Sequence, residues 1–383
     1  MATFQQTDRT MRAFRLGAWL LGLVLVLLMG FFFFFSKPEL ERVRSVESRA
    51  MDRLVEASSR MVRLELEDTY DGPAIATLIH SPAPIDSFPR GAILYIHGFG
   101  DYFFQHHVKR WAEEAGFAFF ALELRRYGRS WLPHQQPNYV RELDEYFEEI
   151  DSALGYVERA GYRDIVLMGH STGGLTASVY ARAGGRRDAL DGLILNSPFL
   201  DFKADVGTEA AIATLGTLSA LKPQAAMPGR DTSRYTQSLH AEYAGRWDFN
   251  TVWKPIRSFP IFLAWLGAVR RGHSRIAEGL DLGLPILMLH SDSSYYEARP
   301  PEAMQHGDAV LDVEDMRRLA PRLGAAVERV EIPDALHDVF LSRPQALDSA
   351  FRATEVWLDR HFPVRGAIGQ RPSAPLGVEA SAF

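Results

Sequence analysis

The sequence predicts an α/β protein: a mostly parallel sheet covered by helices on both faces, interrupted by one inserted cap and preceded by a transmembrane helix. Three observations predict it. Short apolar runs alternate with stretches of helical periodicity, as in strands buried on both faces and joined by helices. The alternation fails once, over residues 197–281, a stretch too long for a structureless loop. Residues 16–35 hold no charged residue.

The composition suits a folded chain of this length. Of 383 residues, 47% are hydrophobic and 23% charged, enough for a sizeable core. The net charge of −6 and the lack of a long basic run exclude nucleic acid as a natural partner. There is no cysteine, which excludes disulfides, thiolate chemistry and cysteine metal sites.

At the N-terminus, an apolar helix over residues 16–35 would span about 30 Å, the thickness of a bilayer's hydrocarbon core. Arg9, Arg12 and Arg15 precede it, which keeps the N-terminus cytoplasmic and sends the rest of the chain across. An uncleaved anchor is expected over a cleaved signal peptide, because the run ends in Phe31 to Phe35, a poor cleavage site. The chain therefore reads as a single-pass membrane protein with an extracytoplasmic folded domain. Residues 1–36 form the tip and anchor. Residues 37–60 form a charged juxtamembrane stalk, with Val43, Val46, Met51, Leu54 and Val55 at helical spacing.

The folded part begins near Met61. Residues 62–67 alternate apolar and charged, as a half-buried strand does, and Asp71-Gly72-Pro73 marks the turn to a partner strand over 74–80. Buried strands follow at 92–96, 116–122, 165–168, 190–195 and 284–289, and a last strand at 326–332. Helical periodicity covers 141–159, 175–182, 313–323 and 344–361. The core thus falls in two parts, 61–198 and 282–363, around a cap at 199–281. That cap has helix-like pieces at 209–221 and 260–276 and many aromatics. The tail, 364–383, is rich in Pro, Gly, Ala and Ser and is expected to be disordered.

The strongest motif is Gly169-His170-Ser171-Thr172-Gly173, with an apolar strand leading in and a helix leading out. That context holds a serine on a sharp turn at the sheet's edge, where Gly169 and Gly173 leave room for neighbouring backbone. A serine hydroxyl needs a base. His337 lies in a loop after the last strand, where the chain order serine, acid, histidine places it. The acid should follow strand 284–289. Asp308 is favoured, with Asp292 as the alternative; Asp312 better suits the N-cap of the next helix. The oxyanion needs two backbone donors, expected from Thr172 and from Phe99 in the loop His97-Gly98-Phe99-Gly100. His97 is expected to hydrogen-bond within that loop rather than act as a base.

At these residues the chain resembles the α/β-hydrolase family, in the branch of monoacylglycerol lipases and serine aminopeptidase-like hydrolases. The resemblance covers roughly residues 62–363. It rests on Tyr95-Ile96-His97-Gly98-Phe99, on Leu122-Glu123-Leu124-Arg125-Arg126-Tyr127-Gly128-Arg129-Ser130, on the Ser171 motif and on Ala335-Leu336-His337-Asp338. The second motif departs from the family's D-x-R-G-x-G-x-S loop, with Glu123 for the aspartate and Arg126 for a glycine. After residue 289 the family's acid segment is interrupted by an insertion running to Gly307. Asp308-Ala309-Val310-Leu311-Asp312 resembles the segment that begins with the acid.

The resemblance implies an α/β-hydrolase fold and hydrolysis of carboxylic esters through an acyl-enzyme, without metal or cofactor. The expected substrates are lipophilic esters. The rivals are an amide or thioester hydrolase with the same three residues, for which Glu209, Glu242 and Asp248 would bind an amino terminus, and a non-catalytic membrane-anchored binding protein.

Overall fold

The computed structural model describes residues 49–82, 87–88, 90–202, 221–227, 233–295 and 300–364. The expected anchor at 16–35, most of the stalk, all but the last residue of the expected helix over 209–221 and the tail beyond 364 lie outside the described residues. Among the described residues no helix is long and apolar enough to cross a membrane.

The chain enters through helix α1 (Ala50–Ser58) and a hairpin of β1 (Arg60–Thr69) and β2 (Gly72–His80). There follow β3 (Gly91–Ile96), α2 (His106–Glu114), β4 (Phe117–Glu123), α3 (Phe147–Arg159), β5 (Ile165–His170), α4 (Thr172–Ala183) and β6 (Gly192–Asn196). An insertion then carries β7 (Ala226–Met227), α5 (Ser233–Leu239), β8 (Ile261–Phe262) and α6 (Leu263–Glu278). The chain closes with β9 (Ile286–Ser291), α7 (Val313–Leu319), β10 (Val327–Ile332) and α8 (Pro344–His361).

Eight strands form one sheet in the order β1-β2-β4-β3-β5-β6-β9-β10. The pairs β1–β2 and β2–β4 are antiparallel, and the rest are parallel. The central strands β3, β4, β5, β6 and β9 are buried along their whole length, which is why they read as continuous apolar runs. The edge strand β1 instead alternates half-buried and exposed positions.

Two apolar layers sandwich the sheet. On one side Leu94, Leu167, Leu195 and Met288 pack with residues of α3, α4 and α6. On the other Ile93, Val166, Ile194 and Leu287 pack with Trp111 of α2 and with Trp357 and Leu358 of α8. This is the α/β-hydrolase arrangement. Helix α6 adds Trp265, Leu266 and Val269 to the first layer, so the last helix of the insertion packs into the main core.

Helix α2 was not legible as periodicity. Its residues are mostly charged or histidine, yet Val108, Trp111 and Ala112 bury one narrow face at spacings of three and four. The helix expected at 141–159 begins with a 3₁₀ turn over Leu143–Tyr146 before α3, and the one at 313–323 ends in a 3₁₀ turn, Ala320–Arg322.

Candidate active site

Ser171 stands between β5 and α4, at φ 54° and ψ −117°. A non-glycine residue seldom adopts such a conformation, which costs about 1–3 kcal/mol. Its surroundings enforce it. The Ser171 N–H donates to the Asn196 carbonyl at 3.0 Å, and its carbonyl accepts from Leu175 N and Phe199 N at 3.1 and 3.0 Å. The neighbouring backbones leave no space for side chains. A Cβ on Gly173 would lie 2.3 Å from the His97 carbonyl oxygen, and one on Gly169 would lie 2.5 Å from that of Gly173. Crowding of this kind is what the two glycines of the motif relieve.

The structure brings Ser171, His337 and Asp308 into one line. His337 Nε2 lies 3.0 Å from Ser171 Oγ, and Nδ1 lies 2.8 Å from Asp308 Oδ2. The other oxygen, Asp308 Oδ1, accepts from the amides of Val310 and Leu311 at 2.8 and 2.7 Å. An acceptor-only carboxylate requires Nδ1 to carry a proton, so Nε2 is left to accept from the serine hydroxyl. Ser171, His337 and Asp308 are 8%, 3% and 0% exposed, so this chain of hydrogen bonds is shielded from bulk water.

Asp308 reaches this place despite the insertion before it. The excursion closes on itself: Asp308 N–H donates to the Ser293 carbonyl at 2.8 Å, and Tyr295 N–H to the Asp308 carbonyl at 2.7 Å. Asp308 therefore sits at the end of β9, although many residues separate the two in sequence. Asp292 is exposed and accepts from Ser293 Oγ at 3.1 Å, away from His337. Asp312 caps α7, accepting from Glu314 N at 3.0 Å.

The loop after β3 runs against the serine turn. A Cβ on Gly98 would lie 3.1 Å from His170 Cδ2 and 3.2 Å from Ser171 Cβ. Phe99 and Thr172 are thus carried by two segments in contact beside Ser171. His97 is buried and serves the loop: Nδ1 donates to the Gly98 carbonyl at 2.9 Å and Nε2 accepts from Leu124 N at 3.1 Å. Burial pushes its pKa down, so it stays neutral. The ring of Phe99 lies 4.5 Å from that of Trp265 on α6, and Tyr235 on α5 lies 6.0 Å from His337.

Several residues of the site carried no sequence signal. Asn196, at the end of β6, donates to Asp338 Oδ1 at 2.7 Å and accepts from Val339 N at 3.1 Å, fixing the loop that presents His337. Burial would raise Asp338, but the imidazole of His170, the Asn196 amide and Lys254 outweigh it and hold its carboxyl below the usual range. Asp101, His170 and Asp338 bring possible ligand atoms within 4.8 Å of one another. The ammonium of Lys254 lies 2.8 Å from Asp101 Oδ1 and supplies positive charge there. The acids expected to read an amino terminus are otherwise engaged. Glu242 pairs with Arg49 at 2.7 Å, and Asp248 accepts from Ala50 N at 2.8 Å; Glu209 lies outside the described residues.

The variant loop after β4 keeps its form by other means. Arg126, where the family has glycine, holds φ 69°. Its buried guanidinium pairs with Asp71 at 2.5 Å. Glu123 accepts from Phe103 N and Arg129 N at 3.1 and 2.6 Å.

The sequence and the fold are similar to those of known proteins. The pattern of the serine aminopeptidase (S33) family matches residues 87–343. A monoacylglycerol lipase of Mycolicibacterium smegmatis is 24% identical over 286 residues, 73% of this chain and 93% of that one. The structure is similar to a soluble variant of monoglyceride lipase from Saccharomyces cerevisiae, with TM-score 0.57 and 18% identity, over 78% of this chain and 97% of that one. It is also similar to a monoacylglycerol lipase of Paleococcus ferrophilus, with TM-score 0.55 and 21% identity, over 79% and 99%.

Proposed function

The chain belongs to the serine aminopeptidase (S33) family and is a serine hydrolase of the α/β-hydrolase type, and on that premise we propose that it cleaves carboxylic esters of lipophilic acyl groups with Ser171, His337 and Asp308. The alignment of the three residues, 3.0 Å from serine to histidine and 2.8 Å from histidine to aspartate, carries the reading. In this mechanism His337 Nε2 takes the Ser171 proton as Oγ attacks the acyl carbon, and then passes it to the departing alcohol. Asp308 holds the tautomer and stabilises the imidazolium. The amides of Phe99 and Thr172 receive the oxyanion. Water then attacks the acyl-enzyme by the reverse proton path.

The substrate class is argued from the walls of the site and from the relatives. Phe99, Trp265 and Tyr235 present apolar surface beside Ser171 and His337. We read the insertion between β6 and β9 as a cap. Glu242 and Asp248 are committed to Arg49 and Ala50, which favours esters over aminoacyl amides. We also propose that residues 16–35 anchor the chain in a bilayer with the hydrolase domain on the extracytoplasmic side, because the apolar run is long enough to span it.

Fluorophosphonate labelling of the purified protein tests the chemistry. Wild type is expected to label and to hydrolyse a long-chain monoacyl ester, with both signals absent in Ser171→Ala. A folded wild type that takes no label, or a Ser171→Ala variant that still turns over, would overturn the reading.

A further inference from the structure

The residues that follow Phe99 are held one by one, each by its own contact from elsewhere in the chain. Gly100 N–H donates to Asn138 Oδ1 at 2.9 Å. Asp101 Oδ1 receives Lys254 Nζ of the insertion at 2.8 Å, with the two side chains 1% and 9% exposed. The Tyr102 hydroxyl donates to Asp52 Oδ1 of α1 at 2.7 Å and accepts from Asn250 N–H of the insertion at 2.7 Å. Phe103 N–H donates to Glu123 Oε1 at 3.1 Å.

The two outside supports are tied to each other. Ala50 N–H meets the Asp248 carboxylate at 2.8 Å, and Met51 N–H meets the Asp248 carbonyl at 3.1 Å. The Arg129 guanidinium lies 3.6 Å from Asp52 and faces the rings of Trp253 and Tyr102 at 5.0 and 5.6 Å. Helix α1, residues 248–254 and residues 100–102 therefore form one buried polar knot.

Stability alone is a poor reason for such a knot. Buried ion pairs seldom outperform well-packed apolar residues of similar volume. What the knot does provide is a single arrangement of the backbone two residues from Phe99. An oxyanion donor works only when aimed within a few tenths of an ångström, and it needs a rigid supporting shell.

We propose that Lys254 and Asp52 are positioning residues for the oxyanion loop. Through Asp101 and Tyr102 they aim the Phe99 amide, so that the serine is competent only while the insertion and α1 are docked. The proposal rests on the serine-hydrolase reading above. It makes α1 a part of the catalytic device.

The test uses the full chain in detergent micelles, with p-nitrophenyl butyrate as a small ester and the rate of fluorophosphonate labelling as a second readout. Lys254→Met cuts the tie to the insertion, and Lys254→Arg restores a cation. Tyr102→Phe removes one hydroxyl while keeping the ring in place. The expected result is a fall in kcat of about tenfold in Lys254→Met and about threefold or more in Tyr102→Phe, with KM changed by less than about twofold and labelling slowed in parallel. Lys254→Arg is expected to recover part of the lost kcat. If Lys254→Met fails to fold, Tyr102→Phe decides alone. Folded variants with wild-type kcat, or with an effect on KM only, overturn this proposal while a labelled wild type upholds the hydrolase reading. A wild type that takes no label overturns both.

Discussion

Ser171 holds a left-handed backbone conformation, and its neighbours show why the protein tolerates the strain. Its N–H and C=O are fully engaged by Asn196, Leu175 and Phe199, so the surrounding structure over-determines the turn. At the same scale the acid can be tested. Asp308→Asn keeps the shape of the side chain but favours the wrong imidazole tautomer, so kcat is expected to fall by about 10⁴. Asp292→Asn is expected to stay within about twofold of wild type, since Asp292 is exposed and bonded to Ser293. Steady-state kinetics on one ester substrate compares the two. Ser171, His337 and the loop carrying Phe99 could be singled out in the sequence because each sits beside a strand end with a recognisable pattern. Lys254, Asp52 and Asn196 were not, because a lone lysine, aspartate or asparagine in a sequence does not disclose whether it will be buried or by what.

Among the elements, apolar runs and helical periodicity located most strands and helices of the core to within a few residues. The polar helix α2 escaped because its buried apolar stripe holds only Val108, Trp111 and Ala112. The loop after β4 shows a different limit, since motif matching marked Arg126 as a departure but could not say how the chain would accommodate it. Arg126 accepts a conformation that costs a non-glycine residue about 1–2 kcal/mol, and in return its guanidinium reaches Asp71. Arg126→Gly would remove that strain but break a largely buried pair, a loss of about 3–5 kcal/mol. The variant is therefore expected to be less stable by roughly 1–4 kcal/mol in urea unfolding. A more stable variant would show that the pair contributes little and that the family's glycine is the better choice here.

For the molecule as a whole, acid is the expected weakness. His273 is buried and His107 half-buried, and desolvation holds each near pKa 4. Each ring donates Nε2–H to a backbone carbonyl, of Phe340 at 2.7 Å and of Phe199 at 2.9 Å, and each Nδ1 is buried without a partner. Both rings are thus built into the fold as neutral imidazoles. The unfolded chain protonates them near pH 6.5 and the folded chain only near 4, so between those values the unfolded state binds more protons. Their contribution is complete above about pH 6.5 and is lost as the pH falls toward 4. Each is expected to account for about 2 kcal/mol of destabilisation by pH 4.5. Urea midpoints measured from pH 7 to 4.5 check this: His273→Gln, which keeps a donor for Phe199, should flatten the decline, and an unchanged slope would show that this ring does not drive it.

The two ends of the sheet have a consequence for how the protein behaves among its own copies. The outermost strands carry their charges in rows: Arg60, Arg63, Glu65 and Glu67 on β1, and Glu328, Arg329 and Glu331 on β10. On β10 Glu331 pairs with Arg317 and Glu328 with Arg360 and His361 from flanking helices, while Arg329 pairs with Glu331 along the strand. A bare strand edge is a template on which a second chain can add its own strand, and charged side chains along it are a common defence against fibre growth. Chains held side by side at high local concentration would be most exposed to that hazard, and here the edges at which a neighbour would join present desolvation costs rather than an open ladder.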